Sequence, residues 1–397
     1  MKFIADLHLH SKYSRAVSRA MTIPNLAFWG EKKGIQVLAT GDWTHPLWLS
    51  ELKRDLAPAE PGLFRYKNSK TRFLLATEIS QIYKKSGQVR KIHNLIFAPN
   101  FKIAENINVR LSKIGNLKSD GRPILGLDSE ELLKIILDIN EDCLLIPAHI
   151  WTPWFSLFGS RSGFNQIAEC FGKYAQYIYA VETGLSSDPI MNWRIKELNN
   201  KAIVSFGDAH SLSKLGREAT VFNCSLSYSA IITAIKKKQI SETLEFFPQE
   251  GKYHYDGHRL CGIGFSPEES RKHKNICPKC KKELVIGVMN RVEELSDQPP
   301  DPRSHSGFRY LIPLLEILSE VYGLGINSRK VQTAYEELTK EDNEFDILLN
   351  KDFPGRLGEA LKKMRNGEVN IAPGFDGQFG KIKIFSAPEN SLQNTLF

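Results

Sequence analysis

MKFIADLHLHS, residues 1–11, is a short apolar run that ends in two histidines spaced one residue apart. Side chains alternate along an extended strand, so His8 and His10 point to the same face. Residues of ligand type return just after other apolar runs: Asp42 in ATGDWTH at 39–45, Glu78 in LATEIS at 75–80, His93 in KIHNLIF at 91–97, His149 in IPAHIW at 146–151, and Asp208 with His210 in SFGDAHS at 205–211. A single histidine near a strand end is usually a satisfied polar residue, and His45 is read that way. Recurrence at the ends of six separate runs is hard to reach by chance.

Strand-like runs occupy 3–7, 35–40, 72–77, 92–98, 143–148, 177–181, 202–206 and 219–222, with helical patterns at 23–33, 129–140, 163–173 and 189–200. Continuous apolar runs separated by helices predict a parallel sheet buried on both faces, and seven or eight such units can close into an α/β barrel. The carboxyl ends of barrel strands face one rim, so His8, His10, Asp42, Glu78, His93, His149, Asp208 and His210 are expected to converge there as the catalytic metal ligands. Five histidines and three carboxylates exceed what one ion needs, which predicts two or three ions bridged by a carboxylate and open to water. Imidazole with carboxylate suits zinc, manganese or iron better than calcium. The polar, proline-containing stretch 49–70 reads as a long rim loop.

The 397 residues predict two or three domains. No run approaches 18 apolar residues and the start is not a signal peptide, so the expected location is the cytoplasm, with no membrane partner. A phosphate-cradling GxxxxGK[ST] loop is absent, which argues against an NTPase and a nucleotide cofactor. The net charge is +8, and its distribution is uneven: residues 1–250 carry 32 basic against 24 acidic groups, 251–282 carry 8 against 3, and 283–397 carry 13 against 18. A basic front and middle suit a polyanionic partner.

Cys143, Cys170 and Cys224 sit singly in apolar contexts and read as buried small residues. His258-x2-Cys261 and Cys277-x2-Cys280 instead form two pairs with knuckle spacing, the pattern of a closed structural zinc site. The three cysteines are the firm part, and His254 or Asp256 are alternatives for the fourth ligand. Such a site would hold together a segment with too little core of its own. It carries a basic cluster of Arg271, Lys272, Lys274, Lys279, Lys281 and Lys282. The expected division is therefore a metallohydrolase domain at 1–225, a zinc module at 251–295 and a C-terminal domain at 296–397, mainly helical at 307–322 and 328–339, with a terminal strand at 381–385.

DLHLHS, the TGD, the TE, the isolated histidine and the terminal DAH resemble the polymerase and histidinol phosphatase (PHP) family. That resemblance implies a distorted (β/α)7 barrel with a trinuclear metal site, here zinc with Mg2+ or Mn2+ in part, that hydrolyses phosphoesters. The family's usual second motif is T-D-H, and TGD puts Asp42 where a ligand histidine commonly stands. HIWTPWFSLFGSRSGF at 149–164, DAHSLSKLGREATVF at 208–222, KYHYDGHRLCG at 252–262, CPKC at 277–280, GVMNRVEELSDQP at 287–299 and PGFDGQFGKIKIF at 373–385 narrow the likeness to the endonuclease Q family. This implies a DNA repair nuclease that cuts 5′ of deaminated bases and abasic sites, with a C-terminal region that binds DNA. Such an enzyme must flip the base, and Trp151, Trp154, Phe155 and Phe158, with Ser160 and Arg161, form the expected substrate-binding rim. Backbone N–H groups near 159–163 are expected to read the lesion carbonyl, and Arg217 to grip phosphate. QNTLF at 393–397 has a faint likeness to a clamp-binding end, which makes a sliding clamp a second candidate partner.

Overall fold

The computed structural model describes residues 1–301 and 306–385; the QNTLF end lies outside them. Backbone hydrogen bonds run round a closed circuit of seven strands. Lys2–Asp6 pairs in parallel with Val37–Ala39, and that strand with Arg72–Leu74. Ala98 N donates to Leu75 O (3.0 Å), passing the circuit to Gln88–Phe97, which pairs with Leu144–Pro147. Ile150 N donates to Glu182 O (3.1 Å), linking Ala180–Glu182, itself parallel to Ala202–Val204. His10 N donates to Ala209 O (3.1 Å) and closes the ring beside the first strand. The expected α/β fold, with its cysteine cluster and largely helical C-terminal region, is the one the chain adopts.

The sheet is mixed rather than parallel throughout. Ala76–Lys85 and Gln88–Phe97 form a long antiparallel hairpin. Its turn is Ser86-Gly87, both with positive φ (53° and 75°), a geometry that glycine adopts without strain. Ala219–Asn223 also runs antiparallel to Lys2–Asp6. The stretch 49–70 is not a loop: it lies within helix Pro46–Asp55 and the paired strands Leu56–Pro58 and Phe64–Tyr66. The helix expected at 163–173 is confined to Ile167–Phe171, and that at 189–200 splits into Pro189–Asn192 and a 3-10 turn Lys196–Asn200. The helical reading of 307–322 fails in its first half. Gly307–Tyr310 is a strand paired in parallel with Ile240–Glu245, and Pro313, which has no N–H to donate, precedes helix Leu314–Tyr322.

The C-terminal helices are tied to the ring by a buried ion pair. Lys33 Nζ lies 2.8 Å from Glu344 Oε2, with both side chains only 4% exposed. Tyr335 OH (2.7 Å) and Leu314 N (3.1 Å) also donate to Glu344. Removing the lysine would strand a buried charge, a loss of about 3–5 kcal/mol for pairs of this kind. Among the described residues, no helix is long and apolar enough to cross a membrane.

Candidate active site

Seven of the eight predicted ligands form three overlapping groups: His8–His10–Glu78, His10–Asp208–His210 and Glu78–His93–His149, each with its ligand atoms within 4.8 Å of one another. The ring geometry explains the convergence. His8 and His10 follow the first strand, Glu78 lies on the hairpin two residues before Ser80, which is opposite His93, and His149 and Asp208 follow two later strands. Glu78 is shared by two of the groups. Its Oε1 lies 2.7 Å from His93 Nδ1 and 3.1 Å from His149 Nε2, while its Oε2 lies 3.4 Å from His10 Nε2.

His8 Nε2, His10 Nε2 and Asp208 Oδ1 are buried without a hydrogen-bond partner. They face one another, with Asp208 Oδ1 3.1 Å from His10 Nε2 and 3.5 Å from His8 Nε2. Orphaned buried polar atoms are costly unless something meets them, and a mixed imidazole–carboxylate set is the donor chemistry of a transition-metal centre. The residues present therefore fit metal ions. Burial alone would raise the Asp208 and Glu78 carboxyls, but the surrounding imidazoles, joined at Glu78 by Arg122, hold both well below the usual carboxylate range. Asp42, His149 and Asp208 all have positive φ (44°, 31° and 44°), a strain common at functional sites.

Asp42 stands behind the cluster. Its Oδ1 lies 3.0 Å from His10 Nδ1, and its Oδ2 accepts from Ser11 N (2.6 Å), Ser11 Oγ (2.7 Å) and Ser14 Oγ (2.9 Å). Asp42 thus holds His10 Nδ1 from behind and stands outside the three groups. Glu182, which the sequence reading missed, does the same for His8. Fully buried, it lies 2.9 Å from His8 Nδ1 and accepts from His149 N (2.8 Å). Ser80 Oγ, 3.1 Å from His93 Nε2, is a third such partner. Carboxylate–histidine pairs of this kind fix ring tautomer and raise ligand basicity. The available signal for Glu182 was its place at the end of the 177–181 run, where the other site residues also sit.

The 149–164 loop divides into two kinds of residue. Trp151 and Phe158 are buried core: Trp151 Nε1 donates to Asn192 Oδ1 (2.9 Å) and the two rings pack at 5.1 Å. They are unavailable to substrate, because an aromatic run also serves to pin its loop to the core. Phe155 packs on His93 at 4.8 Å, and its carbonyl accepts from His93 N. Trp154 is 37% exposed and meets Tyr253 edge-on, while Ser160 is half-buried and Arg161 exposed. The N–H groups of Gly159, Arg161 and Gly163 donate to carbonyls of their own loop, which removes them as lesion readers. Arg217 packs its guanidinium over Phe246 at 4.8 Å, and its charged neighbours are Glu316, Glu250 and Glu218. A cavity of about 620 Å3 opens beside Thr44, Leu49, Asn108 and the 115–118 stretch.

His258, Cys261, Cys277 and Cys280 bring one ligand atom each within 4.8 Å, a second set able to hold a metal. The two alternatives for the fourth position are engaged elsewhere. Asp256 accepts from Gly287 N and Asn290 Nδ2 (both 2.6 Å), and His254 is buried against Tyr255. Of the basic cluster, Arg271 pairs with Glu293 and Lys272 with Glu268, leaving Lys274, Lys279, Lys281 and Lys282 exposed.

A mixed α/β ring with convergent histidines and carboxylates at one mouth is an arrangement able to hold metal ions. The comparisons with known proteins are more particular. Residues 313–368 match the family of the MJ0043 C-terminal domain. The uncharacterised protein MJ0043 of Methanocaldococcus jannaschii is 35% identical over 58% of this chain, which spans only 31% of that protein's length. The uncharacterised protein YqxK of Bacillus subtilis is 29% identical over 96% of this chain and 99% of its own. Among solved structures, the lesion-specific endonuclease PfuEndoQ of Pyrococcus furiosus superposes with a TM-score of 0.87 at 29% identity, covering 99% of this chain and 98% of that one. Endonuclease Q in complex with a 27-mer duplex carrying an abasic lesion superposes with a TM-score of 0.86 at 29% identity, covering 99% and 100%. The resemblance to endonuclease Q read from the sequence thus holds through the whole chain.

Proposed function

We propose that this protein is a metal-dependent DNA repair endonuclease that hydrolyses the phosphodiester 5′ of uracil, hypoxanthine, xanthine and abasic sites, leaving a 3′-hydroxyl and a 5′-phosphate. The observation that carries the reading is the orphaned cluster of His8 Nε2, His10 Nε2 and Asp208 Oδ1 at the mouth of a fold shared end to end with lesion-specific endonucleases. We assign zinc to the four-ligand module and two or three ions, zinc with Mg2+ or Mn2+ in part, to the main centre. Bound there, the ions lower the pKa of water and neutralise charge on the attacked phosphate. The chain's own part is to hold the ligands. Glu78 joins two of the groups, Asp42 and Glu182 fix the ring orientation of His10 and His8, and the half-buried Phe155 walls off His93.

Damage inside a duplex is inspected by unstacking the nucleotide. Trp154, exposed on the 149–164 loop, is suited to stack against the opened helix, and the 620 Å3 cavity beside Thr44 is the receptacle we assign to the flipped base. The exposed lysines of the zinc module and the 296–397 region would carry the sequence-independent phosphate contacts.

The test is cleavage of end-labelled duplexes bearing one uracil, one hypoxanthine, one abasic site or no lesion, with and without Mn2+ or Mg2+. A single nick 5′ of the lesion, lost in Asp208→Asn with binding retained, is the expected result. Turnover of small phosphomonoesters without any nicking would move the protein to the phosphatases.

A further inference from the structure

We propose that Arg122 is the residue that grips the scissile phosphate at this centre, an assignment that rests on the nuclease reading above. Arg217, the arginine that the sequence singled out for this role, is packed over Phe246 in the field of Glu316, Glu250 and Glu218, with its Nε sealed from solvent and unpartnered. Arg122 is the guanidinium at the metal-type centre itself. Its Nη1 donates to Glu78 Oε2 at 3.1 Å, on the carboxylate that joins two of the ligand groups. Asp208 and Asp120 are its other charged neighbours.

What Arg122 leaves free matters most. Nε and Nη2 make no hydrogen bond within the protein and are not sealed from solvent, and the side chain is 25% exposed. These two nitrogens form the fork of the guanidinium, the edge that pairs with two phosphate oxygens at once. The arginine is therefore pinned through one nitrogen on the side of Glu78 and offers a two-donor edge to the mouth.

The loop that carries Arg122 is built to hold it there. Asp120 Oδ1 accepts from Arg122 N (3.1 Å) and Arg15 N (3.3 Å). Gly121 N donates to Tyr13 O (3.0 Å), and Gly121 O accepts from Thr44 Oγ1 (3.2 Å). A methyl group at Gly121 would overlap Asp42 Oδ2 and Ser14 Oγ, so only glycine lets the loop reach this depth. A lysine would suffice if the role were only to balance Glu78. The fork is needed only if something with two acceptor oxygens docks against it.

The experiment is single-turnover cleavage of a duplex with one abasic site, titrated with enzyme, for wild type, Arg122→Lys and Arg122→Ala, with metal content measured on each protein. Arg122→Lys keeps the positive charge beside Glu78 and removes the fork. It should retain wild-type metal content and lose on the order of 100-fold in kcat/KM, the scale of one lost transition-state clamp. Arg122→Ala should lose more and recover in part with added methylguanidinium, but not with methylammonium. Arg122→Lys cutting within about threefold of wild type would overturn the assignment. So would metal loss in Arg122→Lys matching its loss of cleavage, since that marks a role in supporting Glu78. Wild type that fails to nick would instead sink the nuclease reading.

Discussion

Glu182→Gln removes one oxygen's charge from a side chain that serves two masters. In the native protein its carboxylate sits 2.9 Å from His8 Nδ1 and accepts from His149 N at 2.8 Å, with no exposure to water. An amide cannot reproduce both contacts. With its NH2 toward His149 N, two donors collide. With its NH2 toward His8 Nδ1, that nitrogen must accept, the proton moves to Nε2, and the atom aimed at the metal position loses its lone pair. Either orientation should cost about 10- to 100-fold in metal affinity, or about 1.4–2.8 kcal/mol. The assay is competition of metal-loaded protein against a graded series of chelators, with cleavage followed at limiting and saturating metal. Lost cleavage should return at saturating metal for the alternate amide orientation that keeps His8 able to bind. Glu245→Gln is the control, because Glu245 is equally buried but bonds Ser205, not a ligand histidine. Glu182→Gln holding metal as tightly as wild type would refute the reasoning, as would Glu245→Gln releasing it equally.

Three further outcomes are expected. Cys277→Ser should release one metal equivalent and unfold residues 251–285 locally, seen as new proteolytic cuts there, while the ring keeps its own metal. Burial pushes the Glu245 carboxyl up to about 8, so the folded state binds a proton that the unfolded chain releases near pH 4.5; stability should fall as pH rises between these values, and the slope of Tm against pH should flatten in Glu245→Gln. Ser50→Trp, which fills the cavity beside Thr44, should reduce cutting at uracil by at least about tenfold and spare abasic sites, which have no base to house; equal losses on both substrates would remove the cavity from the base-binding reading.

The sequence carried a large share of this. The HxH pair, the recurrent ligands after apolar runs and the paired Cys/His spacings are local patterns, legible because strand alternation and knuckle geometry are set by neighbours a few residues apart. The runs also marked the strands of the ring, since period and branching are local, but not Leu56–Pro58, Phe64–Tyr66 or Ile240–Glu245. What pairs with what was not local. The runs 72–77 and 92–98 read as separate barrel strands until the Ser86-Gly87 turn joined Ala76–Lys85 to Gln88–Phe97, and Gly307–Tyr310 read as helix until Ile240–Glu245, far back in the chain, supplied its partner. The same limit separated ligand from support. Asp42 looked like any other carboxylate at a strand end, and only the approach of Ser11, Ser14 and His10 placed it behind the cluster. Trp151 and Phe158 looked like a stacking platform, and packing put them in the core. Glu182 offered only its place at the end of the 177–181 run and Arg122 no sign, because their roles lie in distances to His8 and Glu78 across 174 and 44 residues of chain. Residue type fixes what chemistry a side chain can offer; which of its atoms remain free to offer it is decided by the long-range contacts that tertiary folding makes.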